Sequence, residues 1–126
     1  MLTSISKLSA KIGKDLSLIQ GAGGNTSIKE RGRMWVKASG KWLSDADTEN
    51  IFVSVNDTAI REAIKTNETD PVTQHIDENQ ILRPSIETTL HALLPHKIVL
   101  HVHSVNAIAW TIRKDGFKQL KDKLQG

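Results

Sequence analysis

Residues 98–105 read IVLHVHSV, an apolar run that holds two histidines two apart. Aliphatic and β-branched residues dominate it and Pro95 closes whatever precedes it, so this is the strongest strand in the sequence. Alternation along a strand sends Ile98, Leu100 and Val102 to one face and Val99, His101, His103 and Val105 to the other. Both imidazoles therefore share a face. Residues at i and i+2 of a strand can hold one metal ion between their ring nitrogens, half of a catalytic zinc site. The same spacing suits two hydrogen-bonded polar residues on a partly wet sheet face, and spacing alone leaves both readings open.

Upstream, PSIETTLHALLP (residues 84–95) reads as a helix opened by Pro84 and stopped by Pro95, with Ile86, Leu90 and Leu93 on its buried side. Glu87 and His91 stand four apart and share a helical face. A helix, turn and strand this close in sequence pack together, so the Glu87 carboxylate could approach a metal-bound group. The plain alternative is a first-turn acid stabilised by the helix dipole.

At the other end, Ile5, Leu8, Ile12, Leu16 and Ile19 recur at spacings of three and four, predicting an amphipathic helix over the first twenty residues with Thr3 and Ser4 as available caps. GAGGNTS (residues 21–27) then brings backbone close to something. It lacks the Lys-Ser/Thr ending of a Walker A loop and follows no clear strand, so nucleotide fingerprints do not fit. Its exposed N–H groups, the Asn25 amide and the Thr26 and Ser27 hydroxyls can cradle a phosphate, and the Ser39-Gly40 loop offers a second set. A purely structural turn is the alternative.

A hairpin around Gly32, a strand over 51–55 and a short helix from about Asp57 carrying Ile60 and Ile64 fill the middle of the chain. Residues 66–82, polar and aperiodic, read as a mobile surface loop containing His75. Helices over 106–113 and 115–124 follow the strand at 98–105. The second carries Arg113, Lys114, Lys118, Lys121 and Lys123 in or beside it, a basic face best explained as solvated.

At 126 residues the chain has room for a single domain, 1–126. It is 38% apolar and 25% charged, the balance of a folded soluble chain. Having no cysteine, it cannot build a disulfide framework or a thiolate metal site, so a transition metal would need imidazole, carboxylate or water. A net charge of +3 without a groove-reading helix or basic aromatic surface gives no case for nucleic acid. No segment is apolar enough for a bilayer, which makes the cytoplasm the expected location.

In this order, GAGGNTS, VKASG, PSIETTLHALLP and VLHVHSVNAIAW resemble the class II aldolase and adducin N-terminal domain family, from about Leu16 to Trp110. The wording is most similar to the rhamnulose- or fuculose-phosphate type aldolase module fused to short-chain dehydrogenases in some bacterial proteins. The resemblance implies an α/β fold: a three-layer α/β/α sandwich with a mainly antiparallel central sheet. It implies His101 and His103 as zinc ligands and Glu87 as catalytic acid/base. Gly24 and Asn25, with Thr26 beside them, match a phosphate-binding turn, Ser39 and Gly40 a second phosphate loop, and Ser85 a phosphate-contacting serine. His91 matches a histidine one turn after the glutamate and takes a supporting role.

The implied activity is reversible, divalent-metal-dependent cleavage of a ketose 1-phosphate into dihydroxyacetone phosphate and an aldehyde. The same scaffold also resembles sugar-phosphate epimerases, a dehydratase, and the non-catalytic binding and assembly domain of adducin. The implied partners are a small sugar phosphate and copies of the same chain, as a tetramer, with no nucleic acid and no membrane. The family's third histidine ligand lies well downstream of the His-x-His strand, on a segment these residues do not include. The reading therefore expects an N-terminal part of the domain, incomplete at its C-terminus, with His75, His91, Glu87 or a neighbouring subunit as sources of another donor.

Overall fold

A two-residue turn organises the sheet. Arg31 and Gly32 take φ of 50° and 80°, the left-handed pair of a type I′ turn, whose twist suits the strands it joins. It folds β1 (Asn25–Glu30) onto β2 (Arg33–Lys37) with Glu30 opposite Arg33. β3 (Phe52–Asn56) pairs with the far side of β2 and β4 (Ile98–His101) with the far side of β1, so the antiparallel order is β3-β2-β1-β4. The computed structural model describes residues 2–125.

Because strand side chains alternate, the sheet feeds two cores. On one face α1 (Leu2–Gly13) packs Ile5 and Ala10 with Ile28, Leu43, Ile51 and Phe52. On the other, α2 (Asp57–Lys65) and α3 (Thr88–Leu93) cover Met34, Val36, Val53 and Val55, with Ile60 and Ala92 inserted. This is the three-layer α/β/α arrangement, with every strand pairing antiparallel. α2 starts cleanly because the Asn56 side chain accepts the Ala59 N–H at 3.0 Å, with Asp57 in the first turn and Lys65 in the last. α4 (Val105–Thr111) and α5 (Gly116–Leu124) pack on each other, with Arg113 and Lys123 over the Trp110 ring at 5.0 and 4.9 Å.

Four expectations change. The first helix stops at Gly13, where a Cβ would lie 2.3 Å from the Ser44 backbone nitrogen. Thr3 and Ser4 sit inside that helix, Leu16 is exposed, and Ile19 reaches the core from a loop. Residues 66–82 are tied to β3 rather than free: Ile76 bridges Val55, the Asp77 N–H donates to Ser54 O at 3.0 Å, and Val72, Ile76 and Leu82 pack on the second core. β4 ends at His101, leaving His103 beyond the strand.

The fourth correction concerns α3, which begins at Thr88, four residues inside the expected start at Pro84, and buries the opposite side. Thr88, His91 and Ala92 are buried while Ile86, Leu90 and Leu93 are 95%, 50% and 56% exposed. Two polar anchors choose this face. The His91 ring bonds Ser27 on β1, and Lys29 Nζ donates to Ala92 O and Leu94 O at the end of the helix. Buried polar groups must find partners, and here that requirement outweighs the apolar periodicity.

Candidate active site

The register of β1 and β4 sets Asn25 opposite His101, so both side chains stand on the α3 face, with Ser27 one pleat along. His103, past the end of β4, is held by the first loop: its N–H donates to Leu18 O at 2.8 Å and its carbonyl accepts from Gln20 Nε2 at 3.3 Å. The two imidazoles still meet, with ring centroids 4.9 Å apart in a T-shaped arrangement.

Glu87, just ahead of α3, reaches toward them. His101 Nδ1 donates to Glu87 Oε2 at 2.6 Å, and His91 Nε2 lies 3.7 Å from the same oxygen. Ser85 shapes the turn beneath: its Oγ accepts the Glu87 N–H at 3.3 Å and its carbonyl the Thr88 N–H at 3.0 Å. With Nδ1 engaged, His101 Nε2 is the nitrogen left to face a ligand. A carboxylate behind a ligand histidine fixes its tautomer and raises its basicity.

Two neighbouring imidazoles, one of them backed by a carboxylate, suit a divalent transition metal as a pair of donors. Among the described residues no group of three or more His, Asp or Glu side chains gathers to hold an ion. His91 is buried with Nδ1 turned 2.7 Å from Ser27 Oγ. His75, in the 3-10 turn Thr73–His75, lies beside Arg33 and Asn56 at the hairpin end of the sheet, the end opposite His101. Neither supplies a further donor beside the pair.

The glycine loop comes hard against β4. Gly24 has φ +69°, and a Cβ there would sit 2.2 Å from Ile19 Cδ1 and 3.0 Å from His101 O, so both backbone conformation and space call for glycine. Asn25 is fully buried, and neither Oδ1 nor Nδ2 has a protein partner. Leaving such a group unpaired costs about 1–3 kcal/mol, which a ligand on this face would relieve.

Thr26, grouped with Asn25 on sequence, lies on the other face. It is buried against α1 with its hydroxyl 2.7 Å from Ser9 Oγ, because neighbours in a strand point oppositely. Thr26 is therefore removed from the His101 side. Ser39 and Gly40 lie beside the segment that leads into Ser85. Ala38 bridges Pro84, the Ser39 N–H donates to Arg83 O at 2.9 Å, and Gly40 has φ +75°.

Lys37 is the residue that sequence reasoning missed. Only 3% exposed, its Nζ donates to Ala22 O at 2.9 Å and to Lys41 O at 2.7 Å, knotting the glycine loop to the Ser39-Gly40 loop and placing a positive charge between them. Burial lowers its pKa, and the nearby Glu87 carboxylate opposes that shift. The signal was there: a lysine inside the apolar run MWVKA must find buried partners. His91 is likewise held below the ordinary imidazole pKa, by burial first, with Glu87 opposing and His101 and Lys29 adding to the fall.

The chain belongs to the class II aldolase and adducin N-terminal domain family, whose sequence profile matches residues 4–125. Among particular proteins, it is similar to the uncharacterized oxidoreductase YuxG of Bacillus subtilis (strain 168), at 36% identity over 130 residues covering 91% of this chain and 19% of that protein. It is also similar to the solved N-terminal class II aldolase domain of a conserved protein from Thermoplasma acidophilum. There the TM-score is 0.74 at 29% identity, over 87% of this chain and 58% of that one. The chain thus spans under two thirds of the length of either relative. Among the described residues no helix is long and apolar enough to cross a membrane.

Proposed function

We propose that this site serves metal-dependent cleavage of a ketose 1-phosphate to dihydroxyacetone phosphate and an aldehyde. The observation that carries the reading is Glu87 Oε2 at 2.6 Å from His101 Nδ1, a proton carrier set against a histidine pair. A divalent cation, zinc by preference for imidazole donors, would be held by His101 and His103 and would supply Lewis-acid polarisation of the substrate's carbonyl and hydroxyl oxygens.

Gly24, Asn25, Ser39, Gly40 and Ser85 hold the phosphate, Lys37 adds charge behind them, and together they fix the reacting carbon before Glu87. In the cleavage direction the aldehyde-side hydroxyl gives its proton to the Glu87 carboxylate, the carbon–carbon bond breaks as the aldehyde carbonyl forms, and the electron pair left on the dihydroxyacetone phosphate carbon takes that proton back from Glu87.

Glu87→Gln should keep the metal content of the purified protein, read by elemental analysis, and abolish turnover; undiminished turnover would sink the assigned role. His101→Ala or His103→Ala should instead release metal. Product analysis with a panel of sugar phosphates separates cleavage from epimerisation or dehydration on the same residues.

One observation favours a second reading, a non-catalytic binding or assembly domain as in adducin: the described residues gather no three-donor metal group. Protein that neither binds metal nor turns over any of the panel would decide for it. Exposed Ile86, Leu93, Ile112 and Phe117 support a homo-oligomer, and sedimentation velocity would count the subunits.

A further inference from the structure

We infer that His91 is a positioning residue for Glu87, with Ser27 fixing its tautomer so that Nε2–H points at the carboxylate. The inference deepens the proposed function, resting on Glu87 as the proton carrier.

Three observations carry it. His91 is fully buried, and Ser27 Oγ sits 2.7 Å from its Nδ1. Its Nε2 is buried without a hydrogen-bond partner, yet Glu87 Oε2 lies 3.7 Å from it. That same oxygen already accepts from His101 Nδ1. A bare Nε2 would set two acceptors against each other in a buried space, so the proton of the neutral ring belongs on Nε2. Nδ1 is then the acceptor, and Ser27 donates to it. The separation exceeds a hydrogen bond, and a small swing of the Glu87 side chain closes it.

The consequence is directional. Glu87 stands between two N–H groups, one from β4 and one from α3, so the carboxylate is held by one oxygen while the other is left toward the substrate side. Ser27 is on β1 and Glu87 precedes α3, so the chain Ser27–His91–Glu87–His101 links sheet and helix across the second core. This also accounts for α3 burying a histidine in place of its leucines.

Two substitutions separate positioning from packing. Glutamine at 91 can put an N–H near the Nε2 position, whereas asparagine can keep the bond to Ser27 but falls short of Glu87. In the full chain, long-range 15N–1H spectra should show the Nε2–H tautomer for His91. The His101 Nδ1–H resonance should lie downfield, move upfield in His91→Asn, and return in His91→Gln. With turnover measured, His91→Asn should lose about tenfold in kcat with little change in KM, and His91→Gln should recover most of it.

An Nδ1–H tautomer in the unsubstituted protein, or a His101 resonance that does not distinguish the folded Asn and Gln variants, overturns the inference. If His91→Asn does not fold, Ser27→Ala takes its place: a mixture of His91 tautomers is expected, and an unchanged single Nε2–H form overturns it. Should the spectra behave as expected while the unsubstituted protein cleaves no sugar phosphate, the proposed function fails and the positioning of Glu87 by His91 stands.

Discussion

Asn25 and Thr26 are neighbours in β1, both fully buried and both polar, and they have opposite fates. Thr26 points into the α1 layer, where its hydroxyl is paired with Ser9 Oγ, which also donates to Ile5 O. Asn25 points to the α3 layer with both ends of its amide unpaired. One face of the strand is closed by internal bonding and the other keeps hydrogen-bonding capacity in reserve. The difference sets a closed face against an open one: polar groups are left waiting on the side where His101, Glu87, His91 and Ser27 converge.

Gly24→Ala should strike both faces at once, since the added methyl meets Ile19 on the α1 side and presses toward His101 O on the other. With the left-handed φ as well, the loss should be about 3 kcal/mol or more, read from urea unfolding.

Thr26→Val and Asn25→Leu break the comparison more selectively. Thr26→Val removes a satisfied bond and should lower stability by about 1 kcal/mol without touching affinity for inorganic phosphate. Asn25→Leu removes an unsatisfied amide from a buried place and should leave stability unchanged or raise it by about 1 kcal/mol, while phosphate binding by calorimetry is lost. Equal destabilisation by the two would erase the distinction between the faces.

A smaller effect should appear with pH. The His91 pKa is lowered on folding, so the native ring sheds its proton more readily than the unfolded one. Between the native and unfolded values the unfolded chain binds more protons. Its contribution is therefore present above the ordinary imidazole value of about 6.5 and is lost as pH falls through the native one. Unfolding free energy should decline with acidification in that window, and His91→Gln should flatten the slope. The least effect is expected at the hairpin: Arg31→Asn suits φ of 50° better and should add a few tenths of a kcal/mol, with both faces unchanged.

What sequence reading could see is local. The Arg31-Gly32 turn, a strand starting at Ile98 and the helix from Asp57 follow from periodicity and turn chemistry, whereas the run to Val105 expected as strand stops at His101, so His103 meets His101 from a loop and not from a shared strand face. The α3 face could not be read, because Ile86, Leu90 and Leu93 form a good apolar stripe and nothing local says that Ser27 and Lys29, far earlier in the chain, hold the other side. Residues 66–82 were equally opaque, since their order comes from pairing with β3. Thr26 falls inside the loop motif GAGGNTS, yet the strand begins at Asn25 and turns Thr26 to the opposite face from Asn25 and Ser27.

By itself, then, the sequence determined the elements, the family and the residue types of the site, because these depend on spacing along the chain and on the chemistry each side chain carries. Only the tertiary structure decided which of those side chains share a space. It set His101 against Glu87, sent Thr26 to the other layer, put His75 at the far end of the sheet and drew Lys37 between the two loops. The physical reason is that burial penalises a polar group left without a partner, and the partners within reach are set by strand register and helix packing across the sheet.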